Sequence, residues 1–205
     1  MDIKQAKDIF HWLYANTDGY RISIEARKKL SYYYIADTYG EVEFDSFYQI
    51  LSLAQPKPNK VFYDLGSGIG KPSLVAYLCF DFSKIIGIEK LEGLWQTSKN
   101  ILERLQKHYL ELCKTKSNSQ IDFIQGNFLD LDFSDGDVIF INSYTFFYYQ
   151  IYDRLFINRL KKLKKGTKII TTVMPITLPI FNIKKLGRFK FSWGEEDVLI
   201  HSVFY

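Results

Sequence analysis

The sequence predicts an α/β domain: a seven-stranded, doubly wound sheet with a C-terminal antiparallel hairpin and a helical N-terminal segment. Three observations carry this prediction. From Lys60 onward, short apolar runs of strand length alternate with stretches of helical periodicity. The glycine-rich stretch YDLGSGIG (63–70) falls between the first such run and the first such helix, and the last two apolar runs are separated by only a short turn. With 205 residues, 47% of them hydrophobic, the chain can bury one substantial core.

From Asp2, residues Ile3, Ala6, Phe10, Leu13 and Tyr14 recur at helical spacing until Asp18-Gly19 breaks the pattern. A second helix is expected from about Ser23 to Ala36, and a third puts Phe44, Phe47, Tyr48 and Leu51 on one face before QPKPN stops it. Residues 1–55 therefore form a helical segment ahead of the domain at 56–205. There KVFYD is the first strand, followed by a helix from Pro72 to Phe80; KIIGIE is the second, followed by a helix from about Leu91 to Cys113. IDFIQ (121–125), DVIFIN (137–142) and KIITTVM are the next strands, with a helix from about Thr145 between the last two. Helical crossovers make these five strands parallel, whereas FKFSW and DVLIHSVFY, joined around Gly194-Glu195-Glu196, form a hairpin.

Several function classes are excluded early. The 27 basic and 23 acidic residues give a net charge of +4 without dense basic blocks, so strong nucleic-acid binding is not indicated. KKLKKGTK (161–168) reads as a solvated helix end whose cations suit the C-terminal dipole. Cys79 and Cys113 lie apart in apolar surroundings, as two buried thiols in a reducing compartment, and no metal site is expected. No stretch reaches membrane-spanning length and the first residues are not a signal peptide, so the expected location is cytoplasmic or nuclear, with no membrane partner.

A glycine turn between strand and helix lets backbone approach a ligand and presents N–H groups of the helix start. A phosphate loop needs GxxxxGK[ST], but the glycines here are one residue too close and the hydroxyl is displaced to Ser73. A dinucleotide fingerprint needs a third glycine where Lys71 stands. The remaining match is the GxGxG loop of enzymes that use S-adenosylmethionine: Gly66, Gly68 and Gly70, with Asp64 two positions ahead. That ligand carries an ammonium and a sulfonium, so a carboxylate at the strand tip favours it and repels a pyrophosphate. Glu89, ending the second strand, is placed to accept ribose hydroxyls. Asn127 and Phe128 offer an amide and a ring to adenine; alternatively they are a loop Asn and a core Phe. Asn142 ends the fourth strand where methyl group and acceptor should meet; alternatively it caps the next helix.

The ordered set TYGEVEFD (38–45), YDLGSGIG, IGIEK (86–90), GNFLD (126–130), INSYTFF (141–147) and FSWG (191–194) resembles the catalytic domain of non-SET histone-lysine methyltransferases, the disruptor-of-telomeric-silencing family. The resemblance runs from about Tyr39 to the C-terminus and implies a Rossmann-like methyltransferase sheet using S-adenosylmethionine. It implies that Tyr39, Gly40 and Glu41 close over the cofactor, and that Asp64, Gly66, Glu89, Asn127, Phe128 and Asn142 contact it. Trp193 and Phe146 would wall a lysine channel, with Tyr39 and Asn142 beside the reacting atoms. The acceptor would be a protein with an accessible lysine, a histone among the candidates. The sequence departs from the family pattern at Val42, Lys71 and Asn127, and in the final strand, where Ile200 or His201 takes the place of tyrosine.

Two other readings stay open: a small-molecule methyltransferase, and a cofactor-binding protein of the same fold without catalysis. An adenine N6 enzyme should carry Pro-Pro after the fourth strand, where NSYTF has neither; a cytosine C5 enzyme needs a nucleophilic Cys near that strand, and both cysteines lie on predicted helices.

Overall fold

The structure, a computed structural model, describes residues 1–30, 39–142 and 154–205. Helix α1 (Ile3–Tyr14) begins where Asp2 accepts a hydrogen bond from the Gln5 N–H, and it buries Ala6, Phe10, Leu13 and Tyr14. Helix α2 (Gly19–Lys28) starts earlier than the periodicity suggests, because the Asp18 side chain caps it by accepting from the Arg21 N–H at 3.0 Å. The expected extension to Ala36 falls partly outside the described residues. Helix α3 (Phe44–Ala54) presents Phe47, Ile50 and Leu51 inward and ends at Gln55 in the left-handed region, ahead of QPKP.

The sheet has seven strands in the order β3-β2-β1-β4-β5-β7-β6: β1 (Val61–Leu65), β2 (Lys84–Glu89), β3 (Gln120–Gln125), β4 (Val138–Ile141), β5 (Lys168–Thr172), β6 (Phe181–Phe191) and β7 (Gly194–Val203). The first five pair in parallel, and β7 runs antiparallel to both β5 and β6, as the sequence predicts. Helix α4 (Lys71–Cys79) follows β1. The helix expected over 91–113 is two, α5 (Glu92–His108) and α6 (Leu110–Thr115), because Tyr109 leaves helical geometry at φ −125°, ψ 42°. Helix α7 (Arg154–Leu160) precedes β5.

Residue alternation sorts the core onto two faces. Phe62, Ile85, Phe140, Ile170 and Ile200 pack with α1, α3, α4 and α5, so the N-terminal helices share this core with the sheet. Tyr63, Leu65, Ile86, Ile139 and Ile169 pack with α7 on the other. Phe47 of α3 meets Phe140 edge-on, with centroids 4.7 Å apart. Strand β6 is longer than the expected FKFSW because it is the outermost strand, exposed along most of its length, and its lysines hide the strand alternation.

At the edge of the sheet where the parallel strands begin, KKLKKGTK is mostly exposed, with two of its lysines tied down: Lys164 lies 2.8 Å from Asp137, and Lys168 donates to the Ala54 carbonyl. His201 is fully buried in β7, its Nε2 accepting from the Ile176 N–H at 2.9 Å and its Nδ1 facing the Ile169 carbonyl at 3.2 Å. Burial pushes its pKa down to about 4, so it is a neutral strut. Neither it nor Ile200, which packs in the core, lies at a surface channel. Cys79 and Cys113 are free thiols, half-buried where full burial was expected. Among the described residues, no helix is long and apolar enough to cross a membrane and no cluster is suited to a metal.

Candidate active site: the glycine loop and its strap

Strand β1 ends at the glycine loop, at the carboxyl edge of the sheet where neighbouring connections diverge to opposite faces. Gly66, Gly68 and Gly70 have φ of 77°, 56° and 86°, values that side-chain-bearing residues rarely adopt. The N–H groups of Gly66 and Ser67 donate to the Ile88 carbonyl, that of Gly68 to Glu89 Oε2 at 2.8 Å, and that of Gly70 to the Ser67 carbonyl. These four N–H groups build the loop itself. A loop with its donors engaged is poorly suited to a phosphate, which agrees with the exclusion drawn from glycine spacing.

Asp64 shares the sheet face of Phe62 and points at α4. It is 1% exposed, and Oδ2 accepts from the Ser73 hydroxyl at 2.8 Å and the Ser73 N–H at 3.2 Å. Burial raises its pKa from 3.8 to about 7, against the lowering effect of the two Ser73 bonds. The neighbouring Glu89 carboxylate adds to the rise. Glu89, also buried, accepts from Gly68 and, through Oε1, from the Leu91 N–H at 2.8 Å, which fixes it against the loop.

Residues 39–42 cross this loop as a strap. The Tyr39 ring packs so closely on Gly68 that a Cβ there would fall 2.7 Å from ring carbon Cε2. Tyr39 Oη donates to Glu41 Oε1 at 2.8 Å; burial and that carboxylate push the phenol pKa far up, so it stays protonated. Trp193 stacks on Phe191 with centroids 4.7 Å apart and covers Gly40, where a Cβ would lie 2.5 Å from the indole. Val42 bridges to Phe191, and the Glu41 N–H donates to Ser192 Oγ at 2.9 Å. Lys71, one of the departures from the family pattern, points to Glu41, with Nζ 2.5 Å from Oε2.

A narrow gap of about 20 Å³, room for roughly one water, lies under the strap, bordered by Tyr39, Glu41, Gly68, Phe140 and Asn142. The structure thus brings together Tyr39, Glu41, the glycines, Asp64, Glu89 and Asn142, with Trp193 on the strap's outer side. Asn142 Oδ1 accepts from the Thr172 hydroxyl at 2.8 Å, which ties it to β5. Asn127 Oδ1 accepts from the Leu129 N–H, closing its own loop, and Phe128 meets Phe156 edge-on. Gly126 N–H donates to the Glu89 carbonyl and keeps their loop beside the site. Phe146 lies outside the described residues.

Sequence reasoning missed four contributors. Ser73 was legible only as a helix-start hydroxyl. Tyr14 Oη donates to the Ile69 carbonyl at 3.1 Å; Gly19 leaves no room for a Cβ against Tyr39 Oη and Glu41 Oε1; and Tyr20 Oη lies 2.6 Å from Ser192 Oγ. No local signal marks these three, because each acts across a tertiary contact.

Residues 20–185 match the family model described as "Histone methylation protein DOT1". The chain is 30% identical over 166 residues to a histone-lysine N-methyltransferase, H3 lysine-79 specific, of Caenorhabditis elegans, covering 76% of this chain and 17% of that protein. It is 31% identical over 197 residues to the Dictyostelium discoideum protein of the same description, covering 91% of this chain and 10% of that one. It therefore spans less than a fifth of the length of these relatives. Among solved structures it is similar to magnesium protoporphyrin IX methyltransferase from Synechocystis, with a TM-score of 0.58 at 14% identity and coverage of 99% and 98%. It is also similar to an RNA methyltransferase from Salinibacter ruber, with a TM-score of 0.54 at 19% identity, covering 77% of this chain and 90% of that one. At these identities the structures establish a shared fold, the Rossmann-like sheet with antiparallel C-terminal strands. Family assignment comes from the sequence match over most of the chain: this protein belongs to the DOT1 histone methylation family.

Proposed function

We propose that the chain is an S-adenosylmethionine-dependent protein-lysine N-methyltransferase acting on a protein of the histone type. The observation that carries the cofactor half is Asp64, a buried carboxyl poised near neutrality at the tip of β1 beside a glycine loop whose N–H groups are engaged. Ser67 Oγ, buried in the same loop without a partner among the described residues, is a further polar atom that a ligand would satisfy. Asp64 would receive the ammonium, Glu89 the ribose hydroxyls, and Asn127 with Phe128 the adenine. S-adenosylmethionine, when bound, supplies an electrophilic methyl group.

The chain's own residues align and desolvate. Tyr39 and Trp193 would exclude water from above, and the aromatic surroundings disfavour the charged form of an arriving lysine, delivering its neutral amine. Asn142, oriented by Thr172, would position the acceptor nitrogen, with Phe146 as a further wall of the channel. No general base is assigned, because displacement by a neutral amine needs alignment more than a proton acceptor at the moment of transfer. Residues 1–55, the strap included, are proposed as a roof over the site, with Gly19 and Tyr20 packed against Tyr39. The kinship with proteins described as acting on H3 lysine-79 favours a histone acceptor, and hence nuclear action.

Incubation with methyl-labelled S-adenosylmethionine and, separately, nucleosomes, free histones, total RNA, DNA and a small-molecule extract tests the reading. Label on a histone-type protein is expected; label confined to nucleic acid or small molecules would overturn it.

A further inference from the structure

Lys71 occupies the first position of α4, where the helix dipole disfavours a cation. Two groups compensate it: Glu41 Oε2 at 2.5 Å and the Tyr14 ring, 5.2 Å from Nζ to the centroid. Glu41 also receives the Tyr39 hydroxyl on Oε1, while its backbone N–H and carbonyl bond to Ser192 Oγ and the Ser192 N–H. One carboxylate therefore joins a cation on the helix to the tyrosine that covers Gly68. Exposed ion pairs contribute little, but these side chains are only 18% and 13% exposed, so removing either strands the other in a partly desolvated place.

We propose that Lys71 is a positioning residue: through Glu41 it locks the strap Tyr39–Val42 over the glycine loop, and breaking this pair sets the rate at which the cofactor enters and leaves. The lock itself rests on the strap's geometry; its consequence for ligand exchange rests on the S-adenosylmethionine reading above.

The test measures backbone hydrogen exchange of a peptide spanning residues 39–44, together with S-adenosylmethionine dissociation, in wild type, Lys71→Met, Glu41→Gln, the double variant and Lys71→Arg. Each of the first two single variants should speed exchange of this peptide roughly tenfold and speed dissociation in parallel. The double variant should exceed neither single variant appreciably, since both break one interaction. Lys71→Arg, which keeps the charge, should retain slow exchange, and this separates the lock from general damage to the fold. Unchanged exchange in Lys71→Met, or additive effects in the double variant, would overturn the lock. Non-additive exchange in a protein that binds no S-adenosylmethionine would overturn the ligand-exchange half and the cofactor reading while upholding the lock. Binding with unmoved exchange would do the reverse.

Discussion

The most informative perturbation of the site is pH, because Asp64 sits near its titration midpoint in the ligand-free protein. Its carboxyl pKa is about 7, raised from 3.8 by burial. A cationic ligand end bound beside it favours the ionised form, so affinity depends on the fraction already ionised. With a midpoint of 7 that fraction is about 0.76 at pH 7.5 and about 0.03 at pH 5.5, so affinity should fall about 25-fold, or about 1.9 kcal/mol. The ligand's own α-ammonium, with a pKa near 8, is fully charged at the lower pH and works against the fall only slightly. Titration calorimetry in two buffers of different ionisation enthalpy would show both the weakening and the proton released on binding. Asp64→Asn should bind at pH 7.5 about as weakly as wild type does at pH 5.5, and with no pH step. A wild-type dissociation constant equal at the two pH values, or a step that survives in Asp64→Asn, would refute the reasoning.

Other expectations concern packing and the roof. Phe47→Ala removes a fully buried ring that joins α3 to Phe140 and should cost about 3–5 kcal/mol in urea unfolding, with one cooperative transition for the whole chain; separate transitions for residues 1–55 and the sheet would contradict the shared core. His201, neutral in the fold with a pKa of about 4 against an ordinary 6.5, binds its proton more readily when unfolded, so its effect on stability is lost progressively as pH falls through that window. Relative to His201→Asn, wild type should lose about 2.5 kcal/mol between pH 7.5 and 4.5; the variant serves as the reference because Asp64 titrates in the opposite sense over part of the range. Gly19→Ala should weaken S-adenosylmethionine binding roughly tenfold by displacing the Tyr39 and Glu41 side-chain ends. Unchanged affinity would remove Gly19 from the roof.

What the sequence made legible follows the range of the interactions involved. The parallel strands β1, β2, β4 and β5 are buried on both faces, so their apolar runs marked them, and the glycine loop could be placed because chain order puts it at the end of β1. The place of Asp64 at the tip of β1, two residues before the first glycine, was legible from chain order. Its partner Ser73, nine residues on, was seen only as a displaced hydroxyl. Strand β6 was cut short because an exposed edge strand carries no burial pattern, and the start of α2 was misplaced because Gly19 reads as a breaker when Asp18 in fact caps the helix behind it. The strap's partners were illegible for a stronger reason. Lys71 with Glu41, Tyr14 with Ile69 and Tyr20 with Ser192 join positions 30, 55 and 172 residues apart, and only the folded chain brings them together. Lys71 shows the difference most clearly: in the sequence it is only a departure from a pattern, and in the structure it is the partner of the strap's carboxylate.

The central claim is that this site transfers a methyl group from S-adenosylmethionine to the ε-nitrogen of a lysine in a protein. Peptide mass spectrometry of nucleosomal histones after incubation with the protein and S-adenosylmethionine tests it most directly. A methyl mass increment on a lysine side chain, dependent on the cofactor and strongly reduced by Asp64→Asn, is the predicted result. Histones left unmodified by a protein that methylates only RNA, DNA or a small molecule under the same conditions would contradict it.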